Sequence, residues 1–454
     1  MSNPISRRDF LEIGTAAAAA GTVLISCSAN GQKKAAAPAF LDAAPDGNPL
    51  KAGLIGCGGR GTGAALNFLS AGPNLSITAL GDVFSDRLEN CRQKLIEEKQ
   101  NEVAREKCFV GFDAFQKVID SGVDIVILAT PPHFRPEHFA AAVDARKNVF
   151  MEKPLAVDPV GIRSIIASSK RAEQLGLTVG TGTQRRHQRD YVSAFEQIKS
   201  GAIGEIVSAN CYWNQSQLWF RTPQSGWSEM EYMIRDWVNW CWLSGDHIVE
   251  QHIHNIDVIN WFTQSHPTKA VAFGARQRRV TGDQYDMFSV DFEFENGMHV
   301  HSMCRQIDGC ANNVSEFVMG TKGYSDCRSA IHSLNGTTKW EYDYAADYGP
   351  ELEAEKAAEL RKNKSVKISP YVQEHIDLVT AIRNGKPYVE AEQTAVSNMT
   401  AIMGRVAAYT GKAVTWDEMM NSDLHLGPKS YSLGPVELAN KGVIPTPGTE
   451  KSNA

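Results

Sequence analysis

Apolar residues between positions 50 and 180 follow two alternating patterns. Short unbroken apolar runs, typical of strands buried on both faces, are separated by segments with the 3.6-residue apolar period of helices. The pattern predicts strands over 51–56, 75–80, 123–129, 148–151 and 177–180, and helices over 62–69, 113–119, 136–145 and 159–174. Strands that alternate with helices in this way form a parallel, doubly wound α/β sheet, and its ligand lies beyond the carboxyl ends of the strands.

After residue 184 the apolar period becomes two. From Phe288 to Phe294 every second residue is apolar, and Asn296-Gly297 follows, which indicates a hairpin in an antiparallel sheet. Further strands are predicted over 205–213, 269–275 and 315–320, and helices over 372–383 and 394–409. We therefore predict a nucleotide-binding domain over 50–183, an α/β domain with an antiparallel sheet over 184–415 for substrate and subunit contacts, and a proline-rich arm over 416–454.

The N-terminus has the composition of an export signal. Arg7-Arg8 precedes a weakly apolar stretch over 13–26, and residues 1–27 together resemble a twin-arginine signal. The alternative is an amphipathic first helix, but the alanines at 16–20 offer no sided pattern.

The end of this stretch has two interpretations. Leu24-Ile25-Ser26-Cys27 resembles a bacterial lipobox, which predicts a lipid anchor at Cys27, whereas cleavage after Ala35-Ala36-Ala37 would release a soluble periplasmic protein. Residues 28–49, rich in Ala, Gly and Pro, are predicted to be a linker.

The charge and cysteine content argue against several classes of protein. The 454 residues carry 46 Lys+Arg and 52 Asp+Glu, a net charge of −6, whereas nucleic-acid-binding proteins show a basic domain or stripe. The 9 cysteines show no CxxC or Cys/His ligand spacing, which argues against a zinc ribbon and a dense disulfide framework. No apolar run reaches the roughly 18–20 residues that a membrane-spanning helix needs.

A GxGxxG sequence links the first predicted strand to the first helix. Its glycines allow a tight turn and a close approach to a pyrophosphate, which binds at the N-terminus of the following helix. Asp82 ends the second strand about 20 residues later, where an acidic residue holds the adenine-ribose hydroxyls of NAD. We predict that NAD is bound by Gly56, Gly58, Gly59, Arg60, Gly61 and Asp82. Arg87, close by in sequence, keeps NADP as an alternative.

Four landmarks together resemble the glucose–fructose oxidoreductase/inositol dehydrogenase (Gfo/Idh/MocA) family over residues 50 to about 415. They are the glycine turn, Thr130-Pro131, Glu152-Lys153-Pro154 and the segment Glu250–Asp257. That last segment matches the family's Asp-x-x-x-His-x-x-Asp helix, with Glu250 in place of the first Asp and His252 where Gly is common. The resemblance implies a Rossmann domain joined to an antiparallel-sheet domain. The strand-end residues predicted to contact the cofactor are Thr130, Pro131, Pro132, Glu152 and Lys153.

The residues themselves suit the oxidation of a secondary alcohol, which needs a base, a group that orients it, a cation near the alkoxide and a hydride acceptor. His254 is the predicted base, because the unperturbed pKa of histidine lies near working pH. On a continuous helix Glu250 would share a face with His254 and orient it, and Asp257 would flank the same face. Lys153 would place its charge on the substrate oxygen. The alternative for His254 is a hydrogen-bonded histidine of the core.

A metal site is the alternative for the same segment, since Asp246, His247, Glu250, His252 and His254 lie close in sequence. We predict no metal, because His252 and His254 do not share a helix face and no HExxH sequence is present.

Candidate substrate-binding residues lie at strand ends and in a tryptophan-rich segment. Indole rings suit the apolar faces of sugars, although packing in the core or a subunit interface is the alternative for each of them. The predicted substrate-binding residues are Gln184, Arg186, Trp213, Asn214 and His252.

These features predict an exported, periplasmic, homo-oligomeric NAD-dependent oxidoreductase. It would act on the CH–OH group of a sugar, glycoside or cyclitol and retain its cofactor, covered by the C-terminal arm or the 28–49 linker. One alternative is an NAD-retaining glycosidase that oxidises, eliminates and reduces again. Another is a dinucleotide-binding sensor without chemistry.

Overall fold

The computed structural model describes residues 38–349, 351–439 and 441–449. The predicted export signal and lipid anchor lie outside these residues. Within them, no helix is both long enough and apolar enough to cross a bilayer.

The first sheet of the described chain has six strands, all parallel, in the order β3-β2-β1-β4-β5-β6. Its elements are β1 (Leu50–Ile55), α1 (Gly59–Leu69), β2 (Leu75–Asp82), α2 (Ser85–Lys99), β3 (Cys108–Val110), α3 (Ala114–Ile119), β4 (Ile125–Leu128), α4 (Arg135–Asp144), β5 (Asn148–Met151), α5 (Pro159–Gln174) and β6 (Val179–Thr181). The predicted Rossmann-type sheet is therefore confirmed. Because the strand order reverses between β1 and β4, a crevice opens beyond the ends of these two strands.

The pattern missed α2 and β3 for physical reasons. Only four residues of α2 are buried, so its apolar stripe is weak. Strand β3 has three residues and lies at the sheet edge, where little burial is needed.

The second sheet has nine strands among the described residues, in the order β14-β13-β12-β11-β7-β10-β9-β8-β15. The helices and strands that follow β6 in the chain are α6 (Arg189–Lys199), β7 (Ile206–Gln215), α7 (Glu229–Arg235), α8 (Cys241–Ser244), α9 (His247–Glu250), α10 (Ile253–Thr263), β8 (Pro267–Ala275), β9 (Met287–Phe294), β10 (His299–Gln306), β11 (Asn313–Gly320), β12 (Gly323–Ser325), β13 (Ala330–Ser333), β14 (Thr338–Glu341), α11 (Ala354–Asn363), α12 (Pro370–Arg383), α13 (Ala391–Thr410), β15 (Val414–Thr415) and α14 (Trp416–Asn421). The predicted hairpin is confirmed, with Phe292 opposite Val300.

The period of two suggested a purely antiparallel sheet, but the observed sheet is mixed. Strands β7 and β10 pair in parallel, with Ser208 opposite His299. Parallel pairing needs a long crossover, and the helices and strands between β7 and β10 supply it. Such a connection leaves no mark on the alternation within each strand.

Helix α12 lies late in the chain but packs on the first sheet, against α1 and β6. Its residues Ile376, Leu378 and Val379 belong to the same apolar cluster as Leu54 and Phe150. The core of the nucleotide-binding half is therefore completed by a segment about 200 residues further along the chain.

Candidate active site

The glycine turn forms one wall of a cleft at the carboxyl ends of β1, β2 and β4. Gly56 has a φ of 96°, and a Cβ added to Gly61 would lie 1.8 Å from the carbonyl oxygen of Gly56. A Cβ added to Gly59 meets nothing within 4 Å, so open space lies above the start of α1. The cleft is lined among others by Gly58, Arg60, Asp82, Arg87, Phe112, Thr130, Pro131, Phe134, Ile234 and Trp237.

These residues fit a dinucleotide. The close approach of Gly61 to Gly56 packs α1 tightly against β1, and the space over Gly59 leaves the first amides of α1 accessible. A helix N-terminus of this kind binds phosphate through its free N–H groups and its dipole.

Asp82 organises the same turn. Its carboxylate accepts hydrogen bonds from the amides of Cys57 (2.7 Å) and Phe84 (2.9 Å). Burial raises the pKa of Asp82. Each carboxylate oxygen keeps a second lone pair, so the side chain can accept ribose hydroxyls while it holds the turn.

The Asp82→Ala variant is expected to lose preference for NAD over NADP by about tenfold or more, since a carboxylate beside a phosphate is repelled by about 1 kcal/mol or more. Titration of both dinucleotides by protein fluorescence would measure the ratio of dissociation constants. Asp144→Ala, which breaks an exposed ion pair with Arg171, is the control. Wild-type protein that prefers NADP would contradict the proposed role of Asp82 and would indicate that Arg87 binds the 2′-phosphate.

The two strand-end motifs lie at different places. Thr130 and Pro131 line the cleft, and Pro132 begins a buried 3-10 turn next to them. The Glu152 side chain is buried, and its carboxylate binds the Arg60 guanidinium at 2.5 Å. The guanidinium of Arg135 donates to the carbonyl oxygens of Glu152 and Pro154 and so supports the second motif.

Lys153 and Glu250 form a buried ion pair across the two domains. The Lys153 ammonium donates to the Glu250 carboxylate at 3.0 Å and to its backbone carbonyl at 2.5 Å. An ammonium has three donors, so one remains for a substrate oxygen. The sequence places Glu250 against His254 and Lys153 at the substrate oxygen, and it does not indicate this pairing of Lys153 with Glu250.

His254 is buried, and its ring lies nearly parallel to the indole of Trp213, with centroids 5.5 Å apart. Burial and the positive charges of Lys153, Arg185 and Arg60 hold the pKa of His254 well below its ordinary value. The imidazole is therefore neutral at neutral pH, which is the state that accepts a proton.

The prediction of one continuous helix over Glu250–Asp257 is wrong. Helix α9 ends at Glu250 and α10 begins at Ile253, so Glu250 is not one turn before His254 on a shared face. The carboxylate of Glu250 holds Lys153 instead. Asp257 binds the Arg186 guanidinium in a bidentate pair at 2.8 and 2.9 Å. Asp257, predicted to flank His254, is thus paired with Arg186, a predicted substrate ligand.

The residues of the alternative metal site take other partners. Asp246 caps α9 and contacts His247, and its second oxygen accepts hydrogen bonds from the Tyr285 amide and the Tyr409 hydroxyl. Among the described residues, no group of three or more His, Cys, Asp or Glu side chains is placed to hold a metal ion.

Two predicted substrate ligands do not reach His254. Asn214 follows Trp213 in β7, and successive side chains of a strand point to opposite faces. Asn214 accordingly lines a hollow that also includes Phe273 and Met303, residues of the other face. His252 lies in the core, where its ring contacts the Ser302 hydroxyl at 2.7 Å, and burial lowers its pKa to about 3.

Two further residues lie beside the site: Arg185, which belongs to the same strand-end segment as Gln184 and Arg186, and Tyr371, which no sequence pattern indicates. Arg185 lies 5.6 Å from the ring of Trp213 and binds the carboxylate of Glu316. The guanidinium of Arg60 lies over the ring of Tyr371 in α12, 4.7 Å from the ring centre. The Tyr371 hydroxyl accepts a hydrogen bond from the side chain of the predicted ligand Gln184. Tyr371 lies more than 300 positions from Arg60, and no local pattern joins them.

Comparison with protein-family models agrees with this geometry. Residues 50–181 match the model described as "Oxidoreductase family, NAD-binding Rossmann fold", and residues 191–325 match the model of the Gfo/Idh/MocA C-terminal domain. The chain belongs to the Gfo/Idh/MocA family. The expected family, the Rossmann domain, NAD as cofactor and the class of NAD-dependent oxidoreductase are thereby confirmed, and the choice between NAD and NADP stays a prediction.

Individual relatives are distant. The chain is 22% identical to the scyllo-inositol 2-dehydrogenase (NAD(+)) of Bacillus subtilis over 60% of its own length and 72% of that protein. It is similar to the structure of scyllo-inositol dehydrogenase from Lactobacillus casei with bound NAD(H) and scyllo-inositol, at a TM-score of 0.58 and 19% identity, over 81% of this chain and 99% of that one. An aldose-aldose oxidoreductase of Caulobacter crescentus gives a TM-score of 0.60 at 17% identity, over 81% and 99%. These structures share the fold.

Proposed function

We propose that this family member oxidises a secondary alcohol of a sugar, glycoside or cyclitol. The observation that carries the proposal is a buried His254, stacked on Trp213, in the same site as the Lys153–Glu250 pair. Burial, and after it the positive charge of Lys153, holds the pKa of His254 well below its ordinary value. Bound NAD supplies the hydride acceptor. His254 takes the hydroxyl proton at a ring nitrogen, and Lys153, fixed by Glu250, holds the oxygen as negative charge develops on it.

The names of the relatives support the substrate class, because they include dehydrogenases of inositols. No comparison favours the glycosidase or the sensor. The test is to incubate the purified protein with sugars, glycosides and cyclitols and to follow reduced nicotinamide and keto products by mass spectrometry. Release of a free aglycone from glycosides without a net keto product would favour the glycosidase instead.

We further propose that the protein is exported and keeps its dinucleotide. Export through a twin-arginine pathway carries folded proteins, so a cofactor bound before export would have to remain bound outside. Support comes from two segments that pack at the adenosine end of the cleft, the segment 228–244 and the C-terminal arm.

The segment 228–244 covers the cleft from the second domain. Ile234 and Trp237 line it, and Arg235 between them binds Asp86 of α2 in a bidentate pair, with both contacts at 3.0 Å. The same guanidinium lies 3.9 Å from the ring of Phe84. Opening this side of the cleft requires these contacts to break.

The arm packs on aromatic residues of the same apolar cluster as Ile234 and Trp237. The ring of Tyr431 stacks on Phe112, with centroids 6.0 Å apart, and packs edge-on against Phe134. Its hydroxyl is 2.8 Å from Nε2 of His133. Phe112 and Phe134 both line the cleft, so the arm fixes two of its aromatic residues.

Protein purified without added cofactor and then denatured is expected to release close to one dinucleotide per chain. The double variant Arg235→Ala/Tyr431→Ala is expected to raise the dissociation rate of NADH about tenfold or more, because tight binding is mostly slow release. Stopped-flow displacement, followed by nicotinamide fluorescence, would measure the rate. Arg361→Ala, which breaks an exposed pair with Asp343, is the control. Empty wild-type protein, or unchanged release in the double variant, would contradict retention by these segments.

A further inference from the structure

Three positive side chains surround His254, and each is already neutralised. Arg185 lies 5.6 Å from the ring of Trp213, which stacks on His254. After burial, the charges of Lys153, Arg185 and Arg60 lower the pKa of His254. Lys153 binds Glu250 at 3.0 Å, Arg60 binds Glu152 at 2.5 Å, and Arg185 binds Glu316 in a still closer contact.

These carboxylates are fixed and buried. Glu316 also accepts hydrogen bonds from the Tyr191 hydroxyl at 2.9 Å and from the Asn255 side chain at 2.6 Å. Side-chain exposure is 7% for Glu250, 4% for Glu152 and 2% for Glu316. Moving any of them away to free its cation would leave a buried charge unpaired, which is strongly unfavourable.

A fourth pair continues the pattern one turn along α10. Arg186, the predicted substrate ligand, donates from Nε and Nη2, one edge of its guanidinium, to the two carboxylate oxygens of Asp257, and its Nη1 donates to the amide oxygen of Gln393. Each of these four cations is therefore paired with a carboxylate, and a substrate carboxylate or phosphate would find only the third N–H of Lys153 open.

Neutral polar atoms beside the site, in contrast, lack partners. Within the described residues, the indole Nε1 of Trp213 and the amide Oε1 of Gln184 are buried without a hydrogen bond. Trp213 stacks on His254, and Gln184 contacts Tyr371 beside Arg60. One free donor and one free acceptor, both uncharged, match hydroxyl groups, each of which can accept and donate.

We infer that this site selects an uncharged polyhydroxylated substrate and rejects sugar acids and sugar phosphates. Hydroxyls need only the unpaired neutral donor and acceptor and the one open N–H of Lys153, whereas a substrate that carries a full negative charge would enter a buried site in which each cation is already paired with a carboxylate. The inference rests on the proposed oxidation of a sugar or cyclitol and adds the charge of its substrate. The carboxylates Glu152, Glu250, Glu316 and Asp257 become the residues that set this specificity, through the cations they hold.

The test uses matched pairs of compounds that differ only by an anionic group. An aldose is compared with its uronic acid, and a cyclitol with its monophosphate, by kcat/KM and by calorimetric binding to the protein loaded with NAD. The neutral member of each pair is expected to exceed the anionic member by about 10²-fold or more, the scale of an uncompensated buried charge. Equal or better use of the acid or the phosphate would overturn the inference while the oxidation itself stands.

A variant tests the mechanism of rejection. Glu316→Gln removes the negative charge opposite Arg185, keeps one oxygen for the Asn255 amide and lets the new NH2 group donate to the Tyr191 hydroxyl. The gap in kcat/KM between neutral and anionic compounds is therefore expected to narrow by about tenfold or more. Glu293→Gln removes the carboxylate of an exposed pair with Lys269 and should leave the gap unchanged. An unchanged gap in a folded Glu316→Gln protein overturns the role of the ion pairs.

The outcomes remain separable from those of the proposed function. If Glu316→Gln does not fold, the wild-type comparison alone decides, because anion preference contradicts the inference directly. If no compound is oxidised, the proposed function fails, and calorimetry still shows whether neutral compounds bind better than their anionic partners.

Discussion

Replacement of His254 by alanine is expected to lower kcat by about 10²- to 10⁴-fold, the contribution of a positioned general base. Lys153→Ala should give a loss of the same order, because it removes the charge that the developing alkoxide needs. Steady-state rates and NADH binding should be measured together, since the dinucleotide cleft is lined by other residues and its affinity should change little. His299→Ala, an exposed histidine paired with Asp291, is the matched control.

The pH profile separates a catalytic from a structural role for this histidine. Because the pKa of His254 lies well below 6.5, wild-type activity should persist below that pH and fall only on further acidification, when the ring becomes protonated. Lys153→Met removes a positive charge beside the ring, which favours the imidazolium. As the pH is lowered, the remaining activity of this variant should therefore begin to fall at a higher pH than the activity of the wild type. A variant with reduced kcat and an unshifted acid limb would show that Lys153 does not act on His254.

The second large effect is expected in the glycine turn. A Cβ at position 61 would overlap the Gly56 carbonyl oxygen at 1.8 Å, and backbone cannot rotate away as a side chain can. Gly61→Ala should therefore separate α1 from β1, lower the melting temperature and weaken dinucleotide binding by about 10²-fold or more, since overpacking at a rigid contact costs about 1–3 kcal/mol or more and the binding turn is itself displaced.

Gly59→Ala is the matched variant, because its Cβ meets nothing within 4 Å. Alanine is favoured over glycine in a helix by about 0.5–1 kcal/mol, so the variant without cofactor should be as stable as the wild type or slightly more stable. Its methyl group would occupy space in the cleft, and the dissociation constant for NAD should rise. Equal loss of stability in both variants, or unchanged affinity in Gly59→Ala, would contradict the position of the pyrophosphate over α1.

The nucleotide-binding half was readable from the sequence because its strands are buried on both faces. All four residues of β4 are buried, and such a run has no other simple explanation. The glycine turn and the Glu-Lys-Pro motif are local, so their positions at strand ends followed directly. Helix α2 and strand β3 escaped because solvent-exposed elements carry a weak apolar pattern.

The active site was less readable because its contacts join distant positions. Arg186 and Asp257 are 71 residues apart, and nothing near either residue indicates that they pair. His252 lies between α9 and α10, and its ring contacts Ser302 on β10, 50 residues further along the chain, so its partner cannot be inferred from nearby sequence. Trp213 and Asn214 are both predicted substrate ligands, but successive residues of a strand point to opposite faces of the sheet. Only Trp213 therefore faces His254.

Helix α12 has a consequence for the order of events during synthesis. Ile376, Leu378 and Val379 fill the core beneath the glycine turn, and Arg383 donates a hydrogen bond to the carbonyl of Pro45 at 2.5 Å. The ribosome makes β1 to β6 long before this helix, so the nascent nucleotide-binding half exposes an apolar surface until α12 has emerged. A fragment that stops at residue 183 is expected to aggregate when expressed alone, and co-expression of residues 365–385 as a separate peptide should not substitute efficiently for the continuous chain.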